Sequence, residues 1–245
     1  MKWKSLIYCH IAAILLVGSF VWPVTQVFWD WLDLFFFHLL NDPLRDNKFL
    51  QVFWALANHR WADWFEDICI LGFFFAYVRS ATKTSRPRKI AELVFSIFFI
   101  GLIIFFVNRV LFREYLHIPR ESPTLVIDGA VLLSDEISWM SVKDFSPKCF
   151  PADHATTAIL FAATFAYYAG RHFGIAASLY ALFLCLPRMA TGAHWLSDVL
   201  VGSGAIAFFL LSWVFCTPLH LWAVNGLERF FLLFSRQKEN AGSKI

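Results

Sequence analysis

Residues 90–112 read IAELVFSIFFIGLIIFFVNRVLF, and Glu92 and Arg109 are the only charged side chains in this stretch. A helix needs about 20 predominantly apolar residues to cross the hydrocarbon core of a bilayer. A run of this length with two charges predicts a transmembrane helix. The stretch therefore places the chain among helical membrane proteins.

The composition of the whole chain agrees with a membrane protein. Of its 245 residues, 59% are hydrophobic, 19% are aromatic and 16% are charged, whereas soluble domains carry about 25% charged residues. The net charge of +3 is small, and no basic run alternates with aromatic residues. Nucleic acid is therefore excluded as a partner, and lipids and the membrane itself are expected instead.

Similar apolar runs predict an all-α, polytopic membrane helix bundle with six transmembrane helices. The spans are expected at roughly 5–25, 61–79, 90–112, 154–170, 172–190 and 199–223. The second is the weakest, because acidic residues crowd its first turns. Residues 29–42, WDWLDLFFFHLLND, predict an interfacial helix after the first span, with a short buried helix as the alternative.

Basic residues predict the orientation of these spans. The loop 79–89, RSATKTSRPRK, is rich in Lys and Arg, and such loops stay in the cytoplasm. An even number of spans then puts both termini in the cytoplasm and the long segment 113–153 on the outer face. We expect one domain over residues 1–245, with site elements within 113–198 and a flexible cytoplasmic tail over 236–245.

Two histidines stand at the outer ends of apolar runs, where polar groups are costly and usually functional. Asp198 follows His194 by four residues, so on a helix the two share a face. A carboxylate there fixes the ring tautomer and leaves the other ring nitrogen free as a nucleophile. His154 begins the fourth span and is placed to act as a general acid. Taken singly, a pair such as His194 and Asp198 is more often structural, and a histidine in the position of His154 more often caps a helix.

Several other residues are suited to binding a phosphate at the same face. Unpaired amides at the start of the fourth span, at Ala152 and Asp153, form an anion site. Arg113, Arg120 and Arg188 can stabilise the charge of a transferring phosphoryl group. Arginine at the end of a span is also a common interfacial anchor, which would explain Arg113 but explains Arg188 poorly.

The cysteines predict neither a disulfide framework nor a metal site. All five are scattered, and no CxxC or metal-ligand spacing occurs. Cys149, in a polar loop near His154, is expected to be a bystander. We therefore expect no metal and no cofactor.

The elements Arg113-x6-Arg120, Pro151-Ala152-Asp153-His154 and Arg188-x5-His194-x3-Asp198 strongly resemble the three-part signature of the type-2 phosphatidic acid phosphatase superfamily. That signature reads K-x6-R-P, P-S-G-H and S-R-x5-H-x3-D. The resemblance implies a metal-independent enzyme in which His194 is the nucleophile and forms a phosphohistidine, oriented by Asp198. It implies His154 as the general acid and then base, with the three arginines holding the phosphate.

Departures from the signature indicate a narrower group. Ala152 and Asp153 replace a serine and a glycine, Pro187 replaces a serine, and Pro123 is displaced from Arg120. The segments RESPTL (120–125), FPADH (150–154), NHRWAD (58–63) and LPRMATGAHWLSD (186–198) resemble the bacterial lipid A 1-diphosphate synthases instead. These enzymes transfer phosphate from undecaprenyl pyrophosphate to the 1-phosphate of lipid A at the periplasmic face of the inner membrane.

Three functions stay open from the sequence. The first is this phosphotransfer, and the second keeps the site but uses water as acceptor, giving an undecaprenyl-pyrophosphate or lipid A phosphatase. The third is a non-catalytic transporter, which the location of the charged groups at span ends disfavours. Lys143 and Lys148 are candidate contacts for a second phosphate, or solvated loop charges.

Overall fold

The computed structural model describes residues 1–242 of the chain, and the side chains of residues 1–233. Over this range the fold is all-helical, as predicted. Its long helices are α1 (Trp3–Val21), α2 (Pro23–Asn41), α3 (Lys48–Ala57), α4 (Arg60–Arg79), α5 (Arg86–Leu116), α6 (Asp153–Ala169), α7 (Arg171–Ala190), α8 (Asp198–Cys216) and α9 (Leu219–Gly242). The second half of α5, Ile103–Leu116, and the start of α8, Asp198–Ser203, are π-helical.

Four helices in the described residues are long and apolar enough to cross a membrane: α1, α5, α7 and α8. The prediction of six spans is not confirmed. The run 61–79 does form a helix, α4, but charged residues occupy its first turns and its end. The run 154–170 forms α6, which has 17 residues, fewer than the about 20 of a straight crossing.

Other predicted boundaries shift for local reasons. The first span ends at Val21 because Pro23 starts a new helix, and α2 begins well before the predicted interfacial segment 29–42. The predicted run 199–223 is broken between Cys216 and Leu219, since Pro218 cannot continue a helix. Helix α9 continues through the first residues of the predicted tail 236–245, and residues 243–245 lie outside the described residues.

The core of the bundle is formed by α4, α6 and α7. Phe74, Phe161 and Phe165 are buried there and contact one another, with Phe161–Phe165 ring centroids 5.2 Å apart. Gly174 on α7 allows the close approach of α6, because a Cβ at that position would lie 2.8 Å from the Cα of Ala166. Around this core, α1 packs on α8 and α9 packs on α5.

The long segment between α5 and α6 folds over one end of the bundle. A small core of Leu44, Ala55, Leu133 and Ile137 joins it to α3. The buried side chain of Asn41, at the end of α2, accepts from the Val131 amide and donates to its carbonyl, at 2.9 and 3.1 Å. We call this segment, residues 117–152, the cap. It is packed against the helices, and it lies at the end of the bundle where α6 begins and α7 ends.

Candidate active site

The turn between α7 and α8 carries His194 and is fixed from both sides. Gly192 has φ +75, and a Cβ on it would lie 2.5 Å from Cγ2 of Thr124 in the cap. The amides of Ala193 and His194 both donate to the carbonyl of Arg188, at 3.0 and 3.2 Å. A glycine is therefore required here for the conformation and for space.

His194 contacts Asp198 as predicted, but not on a shared helix face. His194 lies in the turn, whereas Asp198 begins α8. Its Nδ1 is 3.3 Å from Oδ2 of Asp198, which is fully buried and also accepts from the Trp195 amide at 2.9 Å. Because this carboxylate oxygen favours a proton on Nδ1, Nε2 is left free to act as a nucleophile.

Arg120 links two buried carboxylates. It donates to Oδ1 of Asp198 and to Oδ2 of Asp33, both at 2.7 Å, and to the Ser197 hydroxyl. Burial raises the pKa of the Asp33 carboxyl, although hydrogen bonds from Ser197 and the charge of Arg120 act against this. Arg120 therefore lies beside the His194–Asp198 pair, with its guanidinium already held by carboxylates.

Arg188 and His154 meet on the other side of the site. Nη2 of Arg188 is 2.9 Å from Nε2 of His154 and donates to Oδ1 of Asp63 at 2.7 Å. Asp63 is in turn 3.5 Å from Nε2 of His154. Nη1 of Arg188 donates to the side-chain oxygen of Asn58. The arginine is thus fixed beside His154 by two residues from the α3–α4 region, and its carbonyl accepts from the His194 amide, so Arg188 links the two histidines.

Arg113 and Asp153 form a third group. Nη2 of Arg113 pairs with Oδ2 of Asp153 at 2.7 Å, and Asn108 donates to Oδ1 at 3.0 Å. The carboxylate beside His154, unusual for the superfamily signature, is therefore neutralised by Arg113. Lys148 donates to the backbone carbonyl of Arg113 at 3.4 Å, so its ammonium group contacts the arginine backbone rather than the Asp153 carboxylate.

The remaining predicted contacts are placed differently. Ala152 is buried, and its carbonyl accepts from the Ser203 and Thr156 hydroxyls at 3.0 Å. Helix α6 begins after it, and no side chain at the N-cap position accepts from the first amides of the helix. These amides are therefore available to a bound anion. Lys143 is exposed and lines a separate pocket beside Asn58.

Cys149, expected to be a bystander, is buried next to His194 and Asp198. In the described part of the chain, Cys149, His194 and Asp198 form a group that could hold a metal ion, since one ligand atom of each lies within 4.8 Å of the others. Burial, and then the charge of Asp198, raise the pKa of the Cys149 thiol. Both oxygens of Asp198 already accept hydrogen bonds, from Arg120 and from the Trp195 amide, which disfavours their use as metal ligands.

An apolar groove of about 880 Å³ begins beside this site. It runs between α4, α5 and α6 past Phe74, Ile100 and Phe161, and it has the Arg113–Asp153 pair at its polar end. Leu71 and Phe105 on its edge are exposed. The groove therefore opens sideways between the helices, where a lipid chain would enter from a bilayer.

Four residues of the site were not among those predicted from the sequence: Asp33, Asn58, Asp63 and Asn108. Asn58 and Asp63 belong to the NHRWAD segment that resembles the lipid A enzymes, so that resemblance already contained their signal. Asp33 is an acidic residue within an aromatic run, and Asn108 is a polar residue within an apolar one. Both Asp33 and Asn108 are buried, and a polar residue in an apolar run indicates a buried polar partner.

Sequence comparison relates the chain to known proteins. A family model described as the PAP2 superfamily matches residues 129–222, which contain His154, Arg188, His194 and Asp198 but neither Arg113 nor Arg120. The chain is 28% identical over 215 residues to the lipid A 1-diphosphate synthase of Escherichia coli (strain K12), and the match covers 88% of each protein. No solved structure matches the chain. The resemblance inferred from the motifs is thereby confirmed: residues 129–222 match the PAP2 superfamily model, and the chain is similar over most of its length to a lipid A 1-diphosphate synthase.

Proposed function

We propose that the protein transfers the terminal phosphoryl group of undecaprenyl pyrophosphate to the 1-phosphate of lipid A through a phosphohistidine on His194. The observation that carries this proposal is the arrangement of two histidines around Arg188. Asp198 holds Nδ1 of His194 and leaves Nε2 free, while Arg188 is fixed 2.9 Å from His154. A phosphoryl group between the two rings would meet a nucleophile, a cation and a proton donor.

The proposed first half-reaction forms a bond between Nε2 of His194 and the terminal phosphorus of the donor. The bond from that phosphorus to the bridging oxygen breaks, and undecaprenyl phosphate leaves with the electron pair and a proton from His154. Burial of the ring and the charge of Arg188 disfavour its protonated form, whereas Asp63 favours it. A phosphate bound to Arg188 offsets the second effect, so substrate binding prepares the acid.

The second half-reaction reverses these roles. An oxygen of the acceptor phosphate attacks the phosphohistidine, the nitrogen–phosphorus bond breaks, and His154 takes up the proton of the acceptor. His194 is then free for another donor. All the groups in this scheme are side chains, and no metal or cofactor takes part.

The groove and the charge distribution support a lipid donor at the outer face of the inner membrane. An isoprenoid chain can lie in the groove with its pyrophosphate at the Arg113 end. The basic loop after Arg79 lies at the opposite end of α4 from Asp63, so a cytoplasmic position for that loop puts the site in the periplasm. We infer six crossings in all, with α4 and α6 crossing inside the bundle.

Hydrolysis is the second candidate function. The side chain of His154, the proposed base, is 35% exposed, so it can activate a water molecule when no lipid acceptor covers it. The protein would then act as a phosphatase on undecaprenyl pyrophosphate or on lipid A.

One experiment separates these functions. Purified protein is incubated with undecaprenyl pyrophosphate labelled in its terminal phosphate, with and without lipid A. Label on lipid A supports transfer, and free phosphate alone in both reactions shows hydrolysis. Release of no label in either reaction contradicts both functions for this donor.

A further inference from the structure

A pocket of about 500 Å³ lies beside the candidate active site, at the junction of α3 and α4 with the cap. Its basic side chains are His59, Arg60 and Lys143, and its aromatic ones are Trp61 and Trp64. We call it the cationic pocket. Neither the three-part superfamily signature nor the proposed first half-reaction uses it, although four of its residues belong to the NHRWAD segment.

The cations of this pocket form no direct ion pair with a described residue, although the charge of Lys143 acts on the Asp63 carboxylate beside Arg188. Among the described residues, neither Arg60 nor Lys143 forms an ion pair with a carboxylate, whereas Arg113, Arg120 and Arg188 each do. Arg60 lies over the ring of Trp64 instead, 5.9 Å from its centroid. A pocket with two cations that are not engaged in an ion pair is suited to binding an anion.

His59 adds a hydrogen-bond donor to this pocket. Its Nδ1 accepts from the amide of Trp61 at 3.2 Å, which puts the proton of the neutral ring on Nε2. Guanidinium, ammonium and imidazole N–H groups together match the oxygens of a phosphate.

One buried residue joins the cationic pocket to the active site. The side-chain oxygen of Asn58 accepts from Arg188, and its Nδ2 donates to the Lys143 carbonyl and to the Thr191 hydroxyl, both at 2.7 Å. An anion in the pocket is therefore separated from the arginine beside His154 by the width of one side chain.

The exposed aromatic residues indicate that the anion belongs to a lipid. Trp61 is 71% and Trp64 53% exposed, and tryptophan is enriched at the level of lipid headgroups. We propose that the cationic pocket binds the phosphate of the acceptor lipid and presents it to the phosphohistidine. This inference rests on the proposed function and identifies its second substrate site.

The test separates the two half-reactions. Arg60→Gln and Lys143→Gln should leave the amount of phosphoenzyme formed from labelled undecaprenyl pyrophosphate unchanged, which also shows that the variants are folded. Each should raise the KM for lipid A by about tenfold, since a charge-assisted hydrogen bond is lost. Lys83→Gln is the matched control, because Lys83 is an exposed lysine in the basic loop, and it should change neither value.

The outcomes distinguish this inference from the proposed function. Absence of phosphoenzyme in the unaltered protein overturns the function itself. Normal phosphoenzyme with an unchanged KM for lipid A in both pocket variants overturns the acceptor site alone. Inorganic phosphate should compete with lipid A much more weakly than an unlabelled phosphorylated lipid does. Equal competition at equal concentration would overturn the assignment of the pocket to a lipid.

Discussion

Oδ1 of Asp63 lies 2.7 Å from Nη2 of Arg188, and this contact sets where the arginine stands relative to His154. Asp63 is on α4 and Arg188 near the end of α7, so the carboxylate joins two helices of the bundle at the active site. Arg188 is 6% exposed, and a buried arginine without its carboxylate carries an uncompensated charge. Asp63 is therefore a positioning residue for both Arg188 and His154.

Asp63→Asn should slow phosphoenzyme formation on the order of 100-fold, because small displacements of catalytic groups have effects of this size. The measurement is single-turnover labelling with undecaprenyl pyrophosphate. Asp46→Asn, at an exposed acidic residue that forms no ion pair, serves as the control. Equal rates for both variants would contradict the role of Asp63.

His194→Ala should abolish the acid-labile phosphoenzyme, because no other free ring nitrogen lies against Asp198. His154→Ala should still form the phosphoenzyme but slow both its formation and its turnover, since each half-reaction loses a proton donor or acceptor. Rapid quench with labelled donor measures both. His172→Ala, an exposed residue at the opposite end of α7, should react normally. Undiminished phosphoenzyme in the His194 variant would refute the nucleophile assignment.

The catalytic pair and its partners could be predicted because charged groups are rare in this chain. In apolar runs each polar residue is costly, so His154, Arg188, His194 and Asp198 stood out without any structure. Their spacing and order then carried a resemblance that the family match confirms. The apolar runs likewise predicted helices, since few other structures satisfy the backbone in a bilayer.

Pairings between distant segments could not be predicted in the same way. Hydrophobic periodicity gives no information on which helix lies next to which, so the contacts of Arg120 with Asp33 and of Arg188 with Asp63 were missed. The break in the last predicted span was visible as Pro218, but the apolar residues on both sides outweighed it. The turn at His194 was also missed, because the four-residue spacing to Asp198 matches a helix.

Removal of metal ions should leave the transfer activity unchanged. Both oxygens of Asp198 already accept hydrogen bonds from protein donors, which disfavours their use as ligands in the group of Cys149, His194 and Asp198. Activity is measured after dialysis against EDTA, and again after addition of Zn²⁺ or Mg²⁺. A loss of activity in EDTA that one of these ions restores would contradict the metal-independent scheme.

Filling the groove should impair long donors selectively. Gly101 lines the groove, and a Cβ added there would meet nothing within 4 Å. Gly101→Phe should raise the KM for undecaprenyl pyrophosphate about tenfold, since apolar contact with the chain is lost. A short-chain isoprenoid pyrophosphate should react as before. Gly72→Phe, at a glycine of α4 with equally open surroundings but outside this groove, should affect neither donor.

Gly192 and Gly170 allow backbone strain to be separated from crowding at the active site. Both have positive φ, +75 and +82, but a Cβ at Gly170 meets nothing within 4 Å, whereas at Gly192 it would lie 2.5 Å from Thr124 and 3.1 Å from Phe37. Each Gly→Ala change should therefore cost about 1–3 kcal/mol in backbone strain.

Gly192→Ala should destabilise the protein by about 1–3 kcal/mol more than Gly170→Ala, because the cap must move away from the added methyl group. It should also displace the turn that carries His194, so that phosphoenzyme formation falls sharply while the Gly170 variant reacts normally. Thermal unfolding in detergent micelles and single-turnover labelling measure the two effects. If both variants lost stability equally and Gly192→Ala kept full activity, the turn would not be held by its contact with the cap, and the position of His194 would need another explanation.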